Sequence, residues 1–473
     1  MTLIGLITVL VGFWALASGP RGLVTALILA TLLGSAAALL VGSASIQPAH
    51  VLLGFVALGV VTRRREYMEI VRTLSFPQPG FWLACAVAYG IVCGMYLPKI
   101  LQGTSQIIPV GSTGFEDTGS AVPLGPTSGN FTQAIYLVAD LACFLMVRAI
   151  ASRTAGLVTI ASALTIFAIA NIGFAFIDLA TFQTGTAWTL DFIRNAQYTF
   201  HTDESTSGLK RIVGSFLEAS SFAHATLGAL GFTGTMWLSG HRPLLYGTLS
   251  LTSLVLLIMS TSSTGFVGTP ALLLIFYLTL FLKAVKGTSR HRDVAILVIA
   301  PIAVTCAVFG ILMSSAMRTI IWDYADTLVF SKSASQSGLE RASWNAFAWS
   351  NFIDSYGLGV GLGTDRASTL ALAVLSNLGL PGGLAYVMFL LTTLLARRPS
   401  ADPEATHIQS AARNAAFALL IADVLSGPLV DQGLSFYILA AVASAHVAPE
   451  RARVRAAGGD ALAPPLRSVA EAL

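Results

Sequence analysis

The chain alternates long apolar runs with short polar connections. Thirteen such runs stand out, at about residues 2–17, 22–42, 48–62, 80–97, 132–149, 155–177, 219–238, 243–260, 265–282, 294–315, 369–396, 409–426 and 432–447. Most approach or exceed the length at which a helix crosses roughly 30 Å of hydrocarbon. They lack the period-two alternation of a barrel strand, and lipid offers backbone groups no partners, so the pattern predicts an all-α, polytopic transmembrane protein. A single membrane domain is expected over 1–447, with outer loops at about 98–131, 178–218 and 316–368. A disordered cytoplasmic tail is expected over 448–473. The short run at 48–62 and the Pro381-Gly382-Gly383 break leave room for re-entrant segments, so twelve to fourteen spans fit the pattern.

Composition strengthens this picture. Hydrophobic residues make up 55% of the 473 and charged residues only 11%, with mean hydropathy +0.76. A soluble domain carries about a quarter charged residues, so a soluble fold is excluded. Cys85, Cys93, Cys143 and Cys306 all fall inside apolar runs, which argues for packed thiols and against a disulfide framework or zinc site. The first run has no basic stretch before it and another span follows at once, which argues against a cleaved signal peptide. The net charge of +4 is too scattered for nucleic-acid binding.

The placement of charge carries more information than its sum. With the cluster Arg63, Arg64, Arg65 on the cytoplasmic side, strict alternation puts 19 of the 27 Lys and Arg residues inside and 8 outside. The positive-inside rule therefore predicts an outer N-terminus and a cytoplasmic C-terminus. Seven of the eight exceptions sit in two outer loops: Arg194, Lys210 and Arg211, then Arg318, Lys332, Arg341 and Arg366. They suggest an anionic ligand there. The alternative is internal pairing with Asp191, Asp203, Asp323 or Asp326. The loop at 98–131 holds only Lys99 amid Gly, Ser, Thr and Pro, and reads as a flexible surface segment.

Two constellations carry candidate chemistry. In the first, Lys210-Arg211 precedes Gly214 and Glu218 at the seam of a membrane helix. If that stretch is helical, Arg211 and Glu218 lie within about 20° of one face. Arginine offers a planar fork to phosphate, and a carboxylate at the edge of a low-dielectric slab suits a general base. An ion pair without chemistry is the alternative. In the second, Glu340-Arg341 begins a segment with Trp344, Phe347, Trp349 and Phe352 at the spacing of an interfacial helix. A loop with Gly357, Gly359, Gly361 and Gly363 follows, then Thr364 or Asp365 as a helix cap and Arg366 beside the amides of its first turn. These glycines are no dinucleotide fingerprint, since there is no βαβ unit. Asp140 and Asp423 fall inside spans, where ionisable groups are costly; they pair with each other or serve proton coupling.

The stretches RIVGSFLEASSFAHA, LIMSTSSTGFVG and ERASWNAFAWSNFIDSYGLGVGLGTDRASTLALAVLSNLGLPGG resemble the bacterial O-antigen ligase and polysaccharide polymerase superfamily of membrane glycosyltransferases. The resemblance covers roughly residues 205 to 395. It implies a GT-C-like membrane fold in the bacterial cytoplasmic membrane. It also implies a glycan donor on undecaprenyl pyrophosphate, direct displacement with inversion at the outer face, and no metal or cofactor. Arg211 and Arg341 fall at loop arginines that engage the pyrophosphate, with Lys210, Arg194, Arg366, Glu340, Gly361 and Gly363 as further substrate contacts. Glu218 is the first candidate base, Glu340 the second, and His224 the third because it falls off the Arg211 face. Ligases commonly carry a histidine late in the last large loop; here residues 292–406 contain none, which favours a polymerase. A ligase acting on lipid A core, a flippase or permease, and a non-catalytic scaffold are the competing expectations. Cations lining a whole crossing would mark the flippase. The implied partners are the lipid-linked oligosaccharide, membrane lipid, and the flippase and chain-length regulator of the same pathway.

Overall fold

A computed structural model describes residues 1–41, 44–114, 120–197, 205–206, 209–326, 331, 336–396 and 402–447. Helices dominate it: α1 (Leu3–Ala17), α2 (Pro20–Ala30), α3 (Pro48–Val61), α4 (Arg64–Thr73), α5 (Pro79–Ile100), α6 (Ser128–Ala151), α7 (Thr154–Thr184) and α8 (Ala219–Leu238). Then come α9 (Pro243–Met259), α10 (Ser263–Val285), α11 (His291–Met313), α12 (Ser315–Ala325), α13 (Gln336–Asp354), α14 (Leu370–Leu390), α15 (Pro403–Ser426) and α16 (Leu434–Ser444). Three small antiparallel hairpins lie between them: β1 (Leu39–Val41) with β2 (Ala44–Ile46), β3 (Gln106–Ile107) with β4 (Val122–Pro123), and β5 (Ser205–Thr206) with β6 (Leu209–Lys210). The tail expected over 448–473 and the basic pair Arg397 and Arg398 lie outside the described residues.

Among the described residues seven helices are long and apolar enough to cross a membrane: α5, α6, α7, α10, α11, α15, and α14 with its π-helical last turn Leu391–Leu395. Five shorter ones, α1, α2, α3, α9 and α16, are apolar too. Several starts follow local chemistry. Proline opens α2, α3, α5, α9 and α15, where its missing N–H costs nothing, and Thr127 and Asn130 close a reciprocal cap on α6.

Because lipid tails are as apolar as leucine, helices in a bilayer associate through close packing of small residues. The α8–α15 contact is of this kind. A Cβ at Gly231 would lie 2.7 Å from the Ala415 Cα, and Gly228 receives the Leu419 side chain. Ala411, Ala412, Ala415, Ala416, Ala418 and Ala422 are all buried along α15. Asn414 donates to Thr235 at 3.0 Å across the same contact.

Two expectations change here. The run 22–42 is helical only to Ala30. Its remainder leaves the helix and packs beneath the 178–218 segment, where Ser35 donates to the carbonyls of Ile193 and Ser215, and Ala36, Ala37 and Ala38 are buried. Its apolarity thus serves packing under the first large loop. The segment 98–131 is also no loose surface loop where it is described. Ile107, Val122 and Leu124 pack with Val360, and Thr127 and Asn130 donate to the carbonyls of Gly363 and Leu362.

Asp365 joins several of these non-helical pieces. One oxygen accepts from the Ile108 amide at 3.1 Å; the other accepts from Asn351 at 3.0 Å and Ser376 at 2.6 Å. It therefore ties the 98–131 segment, α13 and α14 to one carboxylate. It does not cap α14: Thr369 holds the cap position, so the expected role of Thr364 or Asp365 as a cap is corrected. Thr364 instead accepts from Asn130 at 2.8 Å.

Burial pushes the Asp365 carboxyl up to about 6, against the opposing pull of its hydrogen bonds from Ser376 and Asn351. The folded value lies above the unfolded one, so the protonated form favours the fold. That contribution is complete below about pH 4 and is lost as pH rises through about 6, and the gap corresponds to about 3 kcal/mol. Thermal unfolding of the detergent-solubilised protein should show stability falling between about pH 4 and 6. Asp365→Asn should flatten this slope; an unchanged slope would contradict the assignment.

Candidate functional site

The C-terminal end of α7 sets the first wall. At about 1.5 Å per residue its 31 residues span about 46 Å, more than a bilayer core. Asp178 sits in the last turns of α7, and its side chain is 1% exposed. Arg194 bonds one carboxylate oxygen at 2.8 Å, and Lys210 bonds the same atom. The amides of Val213 and Gly214 donate to the other oxygen at 2.9 and 3.1 Å. Arg194 also donates to the Gly214 carbonyl at 2.7 Å, and Lys210 stands 5.0 Å over the Phe182 ring. Arg194 and Lys210, expected as substrate contacts, are therefore joined to Asp178. Their partner is none of the acids expected for internal pairing; of those, Asp203 lies outside the described residues, as does Lys332.

The chain from this knot to α8 is not helical. Gly214 turns with φ +61, and α8 begins only at Ala219. The shared helical face expected for Arg211 and Glu218 therefore does not exist. Val213 and Gly214 give their amides to Asp178, which holds this stretch out of a helix. Arg211 is half-buried in it. Glu218 is half-buried at the N-cap position of α8 in extended backbone, accepting from the Ser220 hydroxyl.

The second wall is built from α13 and the glycine loop. Arg341 and Trp344 are three residues apart on α13 and so neighbour each other on its surface. Arg366 lies 5.2 Å over the Trp344 ring, which brings Arg366 to the Arg341 side of the helix. Asn345 accepts from the Ser368 amide at 2.9 Å and fixes the loop end. Among the described residues Arg341 makes no ion pair. Glu340 is exposed.

Gly361 and Gly363 are buried, with φ of +107 and +74. A Cβ at Gly363 would meet the Gly129 carbonyl at 2.2 Å, and one at Gly361 would meet Pro98 at 2.8 Å. The close backbone approach predicted for a ligand is made here to α5 and α6 instead.

A third group emerges that the sequence kept apart. His224, in the second turn of α8, places Nε2 3.0 Å from an Asp423 oxygen near the C-terminal end of α15. The other Asp423 oxygen accepts from Gln432 at 3.0 Å, and Gln432 in turn accepts from the Tyr386 hydroxyl of α14. The imidazole is 25% exposed against 12% for the carboxylate. Asp140, deep in α6, interacts with Asp431 of the α15–α16 turn, so the suggested Asp140–Asp423 pairing does not occur. The same turn meets the glycine loop, where the Ala367 amide donates to the Pro428 carbonyl at 3.4 Å.

Removing Asp178 strands two buried cations, and breaking such a set costs about 3–5 kcal/mol. Asp178→Ala should sharply lower the unfolding temperature in detergent. Combining Asp178→Leu with Arg194→Met and Lys210→Met should recover much of that loss, because uncompensated charge is the cost. Equal stability of the single variant and wild type would contradict the knot. No protein-family model matches the chain, and no curated protein matches it.

Proposed function

We propose that this protein is a multi-pass glycosyltransferase of the bacterial cytoplasmic membrane. It joins undecaprenyl-pyrophosphate-linked oligosaccharide repeats into surface polysaccharide at the outer face. In this reading the chain crosses the membrane twelve to fourteen times, with the N-terminus outside, and forms a GT-C-like frame. The observation that carries the proposal is the sorting of the outer cations. Asp178 takes Arg194 and Lys210, while Arg341 makes no ion pair among the described residues and shares a helix face with Trp344, over which Arg366 of the loop before α14 lies. Arg211 is half-buried on the segment leading to α8.

The chemistry follows from that arrangement. An acceptor sugar hydroxyl attacks the anomeric carbon of the donor, the new C–O bond forms on one face, and the bond to pyrophosphate breaks on the other. The anomeric carbon inverts. Undecaprenyl pyrophosphate leaves with the bonding electrons, and its added negative charge is met by preplaced guanidinium groups in a water-poor setting. The hydroxyl proton goes to a nearby base, for which Glu218 at the start of α8 is the candidate read from sequence. A chain-length regulator and the flippase that delivers the repeat are the implied partners.

Single replacement of Arg211, Arg341 and Arg366 by alanine tests the reading through the length of surface polysaccharide on cells that express each variant equally. Losing a charged hydrogen-bond donor in such a site costs on the order of 10²–10³ in rate. Each variant should therefore leave mainly single repeats, with lysine replacing Arg341 or Arg366 only in part. Long polymer in all three alanine variants would contradict the proposal.

A further inference from the structure

We infer that His224, oriented by Asp423, is the general base that takes the proton of the acceptor hydroxyl. The inference rests on the glycosyltransferase reading and moves the base from Glu218 to a pair that the fold assembles across 199 residues of sequence. Three observations carry it.

The first is the hydrogen-bond order. When Nε2–H donates to Asp423 at 3.0 Å, Nδ1 is left with its lone pair, and it bonds to no other described residue. Asp423 cannot swing away, because Gln432 holds its second oxygen and Tyr386 holds Gln432. A carboxylate fixed in this manner sets the tautomer and ring plane of an imidazole and stabilises the imidazolium once the proton arrives.

The second is the gradient of exposure. The imidazole is about twice as accessible as the carboxylate behind it, the order required for a base that meets substrate and an acid that does not. Glu218, by contrast, has one carboxylate oxygen engaged by Ser220.

The third is position. Asp423 lies in the last turn of α15, and the turn that follows carries both Gln432 and Pro428, the residue that accepts from Ala367 beside Arg366. That one short turn thereby touches both the carboxylate that holds the base and the loop that carries Arg366. Gly265 of α10 packs against Ala223, next to His224, and Thr264 bonds Ser426 there, so α10 brings hydroxyls and no charge to this side. Among the described residues the charged group that faces the imidazole is Asp423 on α15.

In the step itself, Nδ1 accepts the hydroxyl proton as the oxygen bonds to the anomeric carbon and pyrophosphate departs. The imidazolium then gives the proton to water. Asp423 acts as a positioning residue and never touches the sugar.

The test is initial polymerisation rate against pH, using full-length protein in proteoliposomes and undecaprenyl-pyrophosphate-linked repeat as donor and acceptor. Wild type should lose activity at acid pH as the base is protonated. His224→Gln should lower kcat about 10²–10⁴-fold, leave the donor KM nearly unchanged, and remove the acid limb. Asp423→Asn should lower kcat less and move the acid limb to lower pH, and Glu218→Gln should keep the limb. Added imidazole should restore part of the rate to His224→Ala, which guards against a variant that merely misfolds. If wild type polymerises and His224→Gln keeps both rate and limb, His224 is not the base and the enzymatic reading stands. If Glu218→Gln alone removes the limb, Glu218 is the base. If wild type folds but makes no polymer, the enzymatic reading fails and takes this inference with it.

Discussion

Three aspartates, two near the C-terminal ends of α7 and α15 and one in the glycine loop before α14, carry the irregular parts of this protein. A bilayer solvates no backbone group, so each non-helical stretch must end on a partner supplied by the protein. Asp178, Asp365 and Asp423 each accept at both carboxylate oxygens, and their donors come from segments far apart in sequence. Asp178 holds the first large loop onto α7. Asp365 holds the 98–131 segment, α13 and α14 together. Asp423 joins α8 to the turn before α16.

This constraint also shapes the electrostatics. A buried carboxylate needs cations or several neutral donors, and the three sites answer differently. Asp178 takes two cations and two amides, and so removes Arg194 and Lys210 from the pool that could meet a ligand. Asp365 takes neutral donors only, which leaves the neighbouring Arg366 to lie over Trp344. Asp423 takes an imidazole, the one partner of the three that can exchange a proton near neutral pH. The same device therefore fastens one loop, positions an arginine and orients a histidine.

The helices were largely legible in the sequence, because apolar run length is a local property. The run at 219–238 coincides with α8, and the aromatic spacing from Trp344 to Phe352 falls on α13. The run 22–42 overshot because burial under a loop and burial in lipid select the same residues. The glycines of the loop were legible as positions of unusual backbone: Gly357, Gly359, Gly361 and Gly363 all have positive φ. What they approach was not, since that depends on α5, α6 and the break in α14 at Gly379. Asp178 was missed because its value lies in amides and cations 16 to 36 residues downstream, and no local pattern marks an acid at a helix edge as a hub. His224 ranked low because the ranking assumed a continuous helix from Arg211, which Gly214 and Asp178 prevent.

The central claim is that the outer seam, framed by these aspartates, joins lipid-linked repeats to one another. Mass spectrometry of the undecaprenyl-pyrophosphate-linked glycans in cells lacking this protein tests it most directly. The account predicts that single repeats accumulate on the lipid carrier and that polymer disappears. Long polymer persisting on its carrier, without transfer to lipid A, would contradict polymerisation and assign the seam to ligation instead.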